Sequence, residues 1–172
     1  QGAEIEFQSI LTERWNFNGG VSYTDSRFKN GAEGPCNEGF IPPWGLGSCD
    51  IGGQRVGLEP YWSTTFNSDY YVPIGATEWY LRGLLRWQGA KSVDLITDDS
   101  VPDYATLDLY TGFRSPTGVW DVSLWAKNAT NAQHKSFPSQ VQLTAGLESN
   151  FRMVNMIAPR TIGITARYNW GL

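Results

Sequence analysis

The sequence predicts an all-β fold in which an antiparallel sheet spans a membrane as part of a β-barrel. Three observations predict it. Seven segments alternate apolar and polar residues, aromatic residues lie at the ends of the apolar sets, and the connections alternate between short and long. A period of two places the two sets on opposite faces of a strand. An apolar face with aromatic ends, opposite a polar face, is typical of outer-membrane strands.

The first two predicted strands form a hairpin with a short turn over 12–16. In the first strand the polar residues are Glu4, Glu6 and Gln8, and the apolar residues are Ala3, Ile5, Phe7 and Leu11. The second strand runs from Phe17 to Thr24, with Gly19, Val21 and Tyr23 on one face. A long connection over 30–59 follows this hairpin.

The third and fourth predicted strands run from Tyr61 to Val72 and from Glu78 to Gln88, with a tight turn at 73–76. The fourth alternates most clearly, and its apolar set is Trp79, Leu81, Gly83, Leu85 and Trp87. Its two tryptophans lie eight residues apart, which is about 26 Å along a strand. On a tilted strand this separation fits two aromatic bands that flank a hydrocarbon layer.

The last three predicted strands are Ala105 to Arg114, Trp120 to Lys127 and Pro159 to Trp170. A turn with the sequence Ser-Pro-Thr-Gly at 115–118 joins the first two of them. In the final strand the apolar set alternates with Thr, Gly, Arg and Asn; it consists of Ile162, Ile164, Ala166, Tyr168 and Trp170.

Connection lengths predict how the strands are oriented. The short ones lie near 13–16, 73–76 and 115–118, and the long ones span roughly 29–59, 89–103 and 129–158. Long loops at one rim and tight turns at the other are typical of outer-membrane barrels, so we expect extracellular long loops and a periplasmic C-terminus. Bacterial single-chain barrels have even strand numbers, and no strand edge can face lipid. Seven strands therefore predict that 1–172 is the C-terminal segment of a larger barrel.

Composition and charge exclude other classes of protein. Charged residues make up 17% of the chain, against about 25% in soluble proteins. No segment approaches the roughly 18–20 apolar residues of a membrane-spanning helix. The net charge of −4, without a basic stripe, argues against a nucleic-acid partner. The sequence does not open with a signal peptide, so the beginning of an exported protein is expected to lie elsewhere.

Both cysteines, Cys36 and Cys49, lie in a loop rich in Gly, Pro and Asn. Two cysteines are too few for a structural zinc site, and the single histidine, His134, is far away in sequence. The simplest interpretation is a disulfide. A bridge around a loop of this size contributes about 3 kcal/mol and indicates an oxidising compartment.

The alternation also assigns candidate side chains to each face. Charges that face the lumen are expected to pair across neighbouring strands, at about 0.2–1 kcal/mol per pair, or to contact a plug. They are Arg82, Arg86, Asp108, Arg114, Asp121, Lys127 and Arg167. The aromatic residues expected to face lipid are Trp79, Trp87, Phe113, Trp120, Tyr168 and Trp170. Substrate contacts are expected from aromatic residues of the outer loops, namely Phe40, Trp44, Phe137 and Phe151.

Four segments resemble TonB-dependent outer-membrane receptors. Residues 2–28 (GAEIEFQSILTERWNFNGGVSYTDSRF) resemble a strand, periplasmic turn and strand of the late barrel. Residues 60–74 (PYWSTTFNSDYYVPI) are similar to the strand that enters the following turn. Residues 123–131 (SLWAKNATN) resemble the penultimate-strand signature, and 159–170 (PRTIGITARYNW) the last strand. The chain departs from the family at its end, where Gly171 and Leu172 follow the usual terminal aromatic residue.

The resemblance implies a 22-stranded barrel with an N-terminal plug. It also implies energised import of a scarce nutrient, such as an iron-siderophore, cobalamin or an oligosaccharide. The implied partners are outer-membrane lipid, the protein's own N-terminal barrel and plug, the TonB complex and an unidentified imported ligand. The plug and the box that engages TonB are not among these residues. Neither a cofactor nor a metal is expected.

Other interpretations remain open at this stage. A soluble, secreted β-sandwich that binds carbohydrate through tryptophan would bury Trp79, Leu81, Leu85 and Ile164 between two stacked sheets. A small adhesive barrel, complete in itself, conflicts with the odd strand number. An enzyme has the weakest support, because Glu4 and Glu6 share a face but have no identifiable partner. The sequence Asn128-Ala129-Thr130 matches a glycosylation site, which is a coincidence in a bacterial protein, and His134 is expected to be solvated.

Overall fold

The computed structural model describes residues 1–34, 36, 48–56, 59–92, 100–144 and 147–170, and within 136–154 it describes the backbone only. The long strands of the main sheet are β1 (Gly2–Thr12), β2 (Trp15–Thr24), β5 (Trp62–Ile74), β6 (Thr77–Gln88), β9 (Tyr104–Arg114), β10 (Trp120–Lys127) and β13 (Thr161–Tyr168). Separate two-stranded pairs lie in the long connections: β3 (Glu33–Gly34) with β4 (Cys49–Asp50), β7 (Lys91–Ser92) with β8 (Ser100–Val101), and β11 (Lys135–Thr144) with β12 (Leu147–Met156).

The seven long strands form one antiparallel sheet in the order β1-β2-β5-β6-β9-β10-β13. Each strand pairs with the next long strand along the chain, so the sheet is a meander with β1 and β13 as its open edges. The predicted all-β fold, an unclosed portion of a barrel, is confirmed. Among the described residues, no helix has the length and apolar character needed to cross a membrane.

Tight turns connect the strands at one rim. β1 and β2 are separated by 13–14, β5 and β6 by 75–76, and β9 and β10 by 115–119. Gly75 and Gly118 adopt φ values of 61° and 76°, a left-handed conformation that glycine enters without the cost of a Cβ. The predicted alternation of short and long connections is therefore present, and it gathers all the long ones at the opposite rim.

The pairing register keeps most of the apolar residues of neighbouring strands on the same face. Leu85 pairs with Phe66 on one side and with Leu107 on the other, and Leu124 pairs with Ile164. Directly paired residues point to the same face. The strands thus present one continuous apolar face and one continuous polar face, as the alternation predicted.

The apolar face is not covered by a second sheet in the part of the chain that the structure describes. Leu81, Leu85 and Ile164 are 43%, 39% and 75% exposed. A β-sandwich would have buried these side chains in a dry centre, so the sandwich alternative does not describe this fold.

Strand boundaries differ from the predicted ones at a few points. β2 begins at Trp15 rather than Phe17, because Trp15 pairs with Tyr70 of β5. β1 accommodates this with a register shift between Ile10 and Thr12, a β-bulge. The last long connection is not simply a loop, since it contains the β11–β12 hairpin.

Candidate functional site: the polar face of the sheet

The seven predicted lumen charges lie in strands β6, β9, β10 and β13 and share the polar face. Near the tight turns, register places Glu78, Arg114, Asp121 and Arg167 side by side across four strands. Arg114 donates from Nε to Glu78 Oε1 at 2.6 Å. The charges along this row alternate in sign, so neighbouring strands attract each other.

The middle of the polar face combines cations with aromatic rings. Arg82 forms an ion pair with Asp69 of β5. Trp125 donates from Nε1 to Thr165 Oγ1 at 3.0 Å, and the Lys127 ammonium lies 5.5 Å from the Trp125 ring centroid. A concavity of about 480 Å³ is lined by Arg82, Trp125, Lys127 and Thr165, together with Tyr80, Tyr110, Arg114, Asp121, Ser123 and Arg167. Cations and flat rings in one hollow suit an anionic or aromatic group of a ligand or of a plug.

Towards the long loops, a buried network ties the wall to the last long connection. Arg86 Nη1 donates to Asp108 Oδ2 at 3.2 Å, and the Asn128 backbone N–H donates to Asp108 Oδ1 at 2.9 Å. The Asn128 side chain donates to the carbonyls of Ala132 and Ala158 and accepts from the Ala132 N–H, each at 2.9 Å. Asp108 and Asn128 are each only 6% exposed. This network fixes both ends of the 128–160 connection against β9.

The hydrogen bonds of Asn128 bear on the interpretation of the Asn-Ala-Thr glycosylation pattern. Its amide nitrogen already donates two hydrogen bonds within a buried site. The structure therefore gives the Asn-Ala-Thr sequence a packing role, in agreement with the interpretation of the pattern as a coincidence.

At the outer end of the polar face, uncharged polar groups lie between Glu4 of β1 and the charges of β6 and β10. Ser22 and Ser63 share a hydrogen bond of 2.7 Å between their hydroxyl groups. Gln88 pairs in register with Ser63 and Tyr104, and its Nε2 is buried without a hydrogen-bond partner. His134, expected in solvent, stacks on Tyr104 with ring centroids 5.2 Å apart. The buried Gln88 donor thus belongs to a residue that pairs in register with one member of a stacked aromatic pair.

The apolar face carries the predicted aromatic residues near its two ends. Trp79 pairs with Phe113, and Trp120 pairs with Tyr168, all near the tight turns; Trp170 follows β13, and its ring lies 4.8 Å from that of Tyr168. Trp87 lies at the opposite end of the face. There, sequence analysis missed the pair Tyr23 and Trp62, whose ring centroids are 4.8 Å apart.

Cys36 and Cys49 form the predicted disulfide, with a sequence separation of 13. The predicted ligand contacts Phe40 and Trp44 lie outside the described residues, and so do the side chains of Phe137 and Phe151. These four predictions stay predictions. Among the residues that the structure describes, no group of three or more His, Cys, Asp or Glu could hold a metal ion.

Sequence analysis also missed Asp69 and Glu78, the acidic partners of Arg82 and Arg114. The sequence did contain a signal for each of them, because Asp69 and Glu78 occupy polar positions in the predicted third and fourth strands. What the sequence lacked was the register, which decides that Asp69 lies beside Arg82 rather than one position away.

Comparison with known proteins identifies solved structures with a similar fold. No protein-family model matches the chain, and no curated protein matches it. Among solved structures, the chain is similar to the ferric yersiniabactin uptake receptor FyuA from Yersinia pestis, with a TM-score of 0.74 and 17% identity over 97% of this chain. It is also similar to the siderophore receptor PiuA from Acinetobacter baumannii, with a TM-score of 0.67 and 16% identity over 96% of this chain.

The chain spans 23% of the length of FyuA and 21% of that of PiuA. At this level of identity the likeness concerns the fold. The fold is that of a portion of the barrel of a TonB-dependent receptor, as the sequence resemblance predicted.

Proposed function

We propose that the chain is the C-terminal part of the barrel of an outer-membrane receptor that imports a scarce nutrient with energy supplied through TonB. The observation that carries the proposal is the pair of faces on one sheet. An apolar face with aromatic ends suits lipid, and the polar face suits a hydrated lumen or a plug. The likeness to two siderophore receptors supports the same assignment.

We infer the orientation from the lengths of the connections. In the proposed orientation the tight turns lie in the periplasm and the long connections outside the cell, so that a nutrient meets the loops first. In this orientation the pair Tyr104–His134 and the unpaired Gln88 amide lie at the outer mouth, and the concavity lined by Arg82 and Trp125 lies deeper on the path.

The nutrient classes are those that the resemblance implies: iron-siderophore, cobalamin or oligosaccharide. Flat rings and cations on the wall favour an anionic, partly aromatic ligand within this set. The iron-siderophore is therefore the first candidate to test. The receptor is proposed to act as a transporter rather than as an enzyme.

The test uses the complete gene in its own host. The gene is deleted, and the strain is grown on iron bound to the siderophore from its own spent medium as the sole iron source. The proposal predicts that uptake of radioactive iron falls to background, that the intact gene restores it, and that collapse of the proton-motive force abolishes the restored uptake. Uptake that is unchanged by the deletion for the spent-medium siderophore, for cyanocobalamin and for maltohexaose would contradict the transport role.

A separate double substitution tests the prediction that aromatic residues of the outer loops contact the ligand. Replacing Phe40 and Trp44 together by Ala is expected to weaken ligand binding at least several-fold, since aromatic residues in binding loops dominate contact energies. Unchanged affinity of the double variant would remove these residues from the proposed site.

A further inference from the structure

We propose that Asn30 is a modification site, at which the side-chain amide is converted to a carboxylate by spontaneous attack of the Gly31 backbone nitrogen. The product is expected to loosen the contact between the segments 25–34 and 48–56, which lie between β2 and β5. The inference goes beyond the import role proposed above and does not rest on it.

The chain contains two Asn-Gly pairs, and the asparagine of each is exposed. They are Asn18-Gly19 within β2 and Asn30-Gly31 in the connection that follows β2. Glycine has no Cβ to hinder a close approach to its backbone, so an asparagine amide carbon is easily reached by the nitrogen of a following glycine. Access to water does not distinguish the two pairs. The difference between them lies in how the backbone is held.

The backbone at Asn30 is held by a single turn. The Ala32 N–H donates to the Lys29 carbonyl at 3.1 Å, and Gly31 has a φ of 78°, as at the third residue of a type II turn. In the part of the chain that the structure describes, neither the Asn30 side chain nor the Gly31 N–H has a hydrogen-bond partner. Opening one hydrogen bond therefore frees the rotation that brings the amide carbon to the nitrogen.

The backbone at Asn18 is held from both sides. β2 lies between β1 and β5, and Gly19 pairs in register with Phe7 and with Phe66. The Asn18 Oδ1 also accepts a hydrogen bond from Asn67 Nδ2 at 3.0 Å. The same attack at Asn18 would require the backbone to leave the extended form and break ladder hydrogen bonds within the sheet. Asn18-Gly19 is therefore an internal control with the same two residue types.

The reaction at Asn30 needs no reagent other than water. The Gly31 nitrogen forms a bond to Asn30 Cγ, the bond from Cγ to Nδ2 breaks, and ammonia leaves with the former amide proton of Gly31. Water then adds to one of the two carbonyl groups of the resulting succinimide ring and opens it, which gives aspartate or isoaspartate. No group is oxidised or reduced, and a carboxylate replaces a neutral amide.

The turn at Asn30 packs closely against Gly52. A Cβ at Gly52 would lie 3.1 Å from the Asn30 Cα and 3.1 Å from the Gly31 nitrogen. The same Cβ would lie 2.9 Å from Asp50 Oδ1, so the new carboxylate would form close to an existing one. Isoaspartate also lengthens the backbone by one methylene group at this contact. Both changes push the turn away from Gly52.

Backbone hydrogen bonds between the two segments should then open more often. They run from the Ile51 N–H to the Ala32 carbonyl at 2.9 Å and from the Gly53 N–H to the Phe28 carbonyl at 3.0 Å. Modification of one exposed side chain is thus expected to be measurable in the neighbouring segment 48–56.

The test incubates the complete protein, purified from its host, and follows both Asn-Gly pairs by mass spectrometry of proteolytic peptides. We expect conversion of Asn30 to be at least about tenfold faster than that of Asn18, because opening a turn costs less than opening the sheet. In denaturant the two rates should agree within about twofold, since both pairs are then unstructured. Isoaspartate methyltransferase should label position 30 in the folded protein and leave position 18 unlabelled.

Substitution by glutamine separates the modification from ageing of the protein in general. Asn30→Gln keeps an amide but would require a larger ring, so conversion at this position should be abolished. Hydrogen exchange of the segment 48–56 should become at least about threefold faster in the incubated wild type and stay unchanged in incubated Asn30→Gln. Asn18→Gln is the matched control, and it should leave both the conversion of Asn30 and this change in exchange as in the wild type.

Three results would overturn the proposal. They are equal conversion of Asn18 and Asn30 in the folded protein, an Asn30 amide that stays intact over an incubation that converts it in denaturant, and equal hydrogen exchange of 48–56 before and after conversion. None of these measurements depends on nutrient uptake. Failure of the modification site is therefore distinguishable from failure of the proposed function.

Discussion

The side chains on the two faces of the seven-stranded sheet find their contacts in different ways. On the polar face, charged groups find partners within the sheet, as in Arg86–Asp108 and Arg114–Glu78. On the apolar face, side chains such as Leu85 and Ile164 remain 39% and 75% exposed. Part of the charge on the polar face is thus paired within the sheet, whereas the apolar face depends on whatever medium surrounds it. Because large apolar surfaces are rarely left open to water, the comparison favours lipid as that medium.

The prediction with the largest expected effect compares substitutions at two consecutive leucines, one on each face. Leu85 lies on the apolar face between Phe66 and Leu107, and Leu84 lies on the polar face between Asn67 and Asp108. Leu85→Arg is expected to destabilise the full-length receptor in phospholipid vesicles by about 2–4 kcal/mol, as for a charge at the middle of the bilayer. Leu84→Arg should cost less than about 1 kcal/mol, because it places a positive charge beside Asp108 on the face that we propose to be hydrated.

Guanidinium unfolding followed by tryptophan emission measures both leucine variants. The same amino-acid change at neighbouring positions controls for strand propensity and for side-chain volume. Equal losses at both positions would show that the two faces do not meet different media, and the membrane assignment would then fail.

The second prediction addresses the buried network on the polar face. Asn128→Ala removes three side-chain hydrogen bonds, and the Ala132 N–H and the carbonyls of Ala132 and Ala158 lose that partner. We expect a loss of about 2–3 kcal/mol in the free energy of unfolding, with faster hydrogen exchange in the 128–160 connection.

Asn131→Ala serves as the control for the Asn128 variant. Both asparagines have positive φ, 48° and 54°, so alanine is strained equally at each. Asn131 contributes one side-chain hydrogen bond, to the Arg160 N–H at 3.1 Å. A loss at Asn131 as large as that at Asn128 would attribute the effect to the backbone conformation rather than to the network.

The third prediction compares one glycine from each face. A Cβ at Gly163 would lie 2.3 Å from the Trp125 ring, whereas a Cβ at Gly83 would lie 3.7 Å from its nearest neighbour, Leu109. Gly163→Ala should therefore cost about 1–2 kcal/mol, because the indole must leave its place over the strand. Gly83→Ala should stay within about 0.5 kcal/mol of the wild type.

Trp125 fluorescence adds a local measurement to the third prediction. Gly163→Ala should shift its emission to longer wavelength as the indole moves towards water, and Gly83→Ala should leave it unchanged. A neutral Gly163→Ala would mean that the ring moves at no cost and is not a fixed part of the polar wall.

The fold could be predicted from the sequence because period-two alternation is present in every strand of the main sheet. In β6, the alternating apolar residues from Trp79 to Trp87 identify the apolar face without any knowledge of tertiary contacts. The predicted bounds of this strand differ from Thr77–Gln88 by one residue. The β11–β12 hairpin was missed although Val141 and Leu143 alternate with Gln140 and Gln142, because Pro138 lies within β11 and proline argues against a strand.

The site was accessible only in part. Alternation places Arg82 and Asp69 on the polar face, but the pairing of the two requires the register between β5 and β6. The role of Asn128 was less visible still. It depends on a left-handed backbone and on carbonyls from both ends of a long connection, and neither leaves a periodic signal in the sequence.

The smallest expected effect concerns the ion pair between Arg82 and Asp69. The Arg82 side chain is 47% exposed and that of Asp69 is 15% exposed, so water screens part of the attraction. A double-mutant cycle with Arg82→Gln and Asp69→Asn should give a coupling of about 0.2–1 kcal/mol at low salt. The coupling should shrink when salt is raised if the pair faces an aqueous lumen, as proposed. A coupling above about 2 kcal/mol, unaffected by salt, would mean that this face is dry, and the distinction between the two faces would then be wrong.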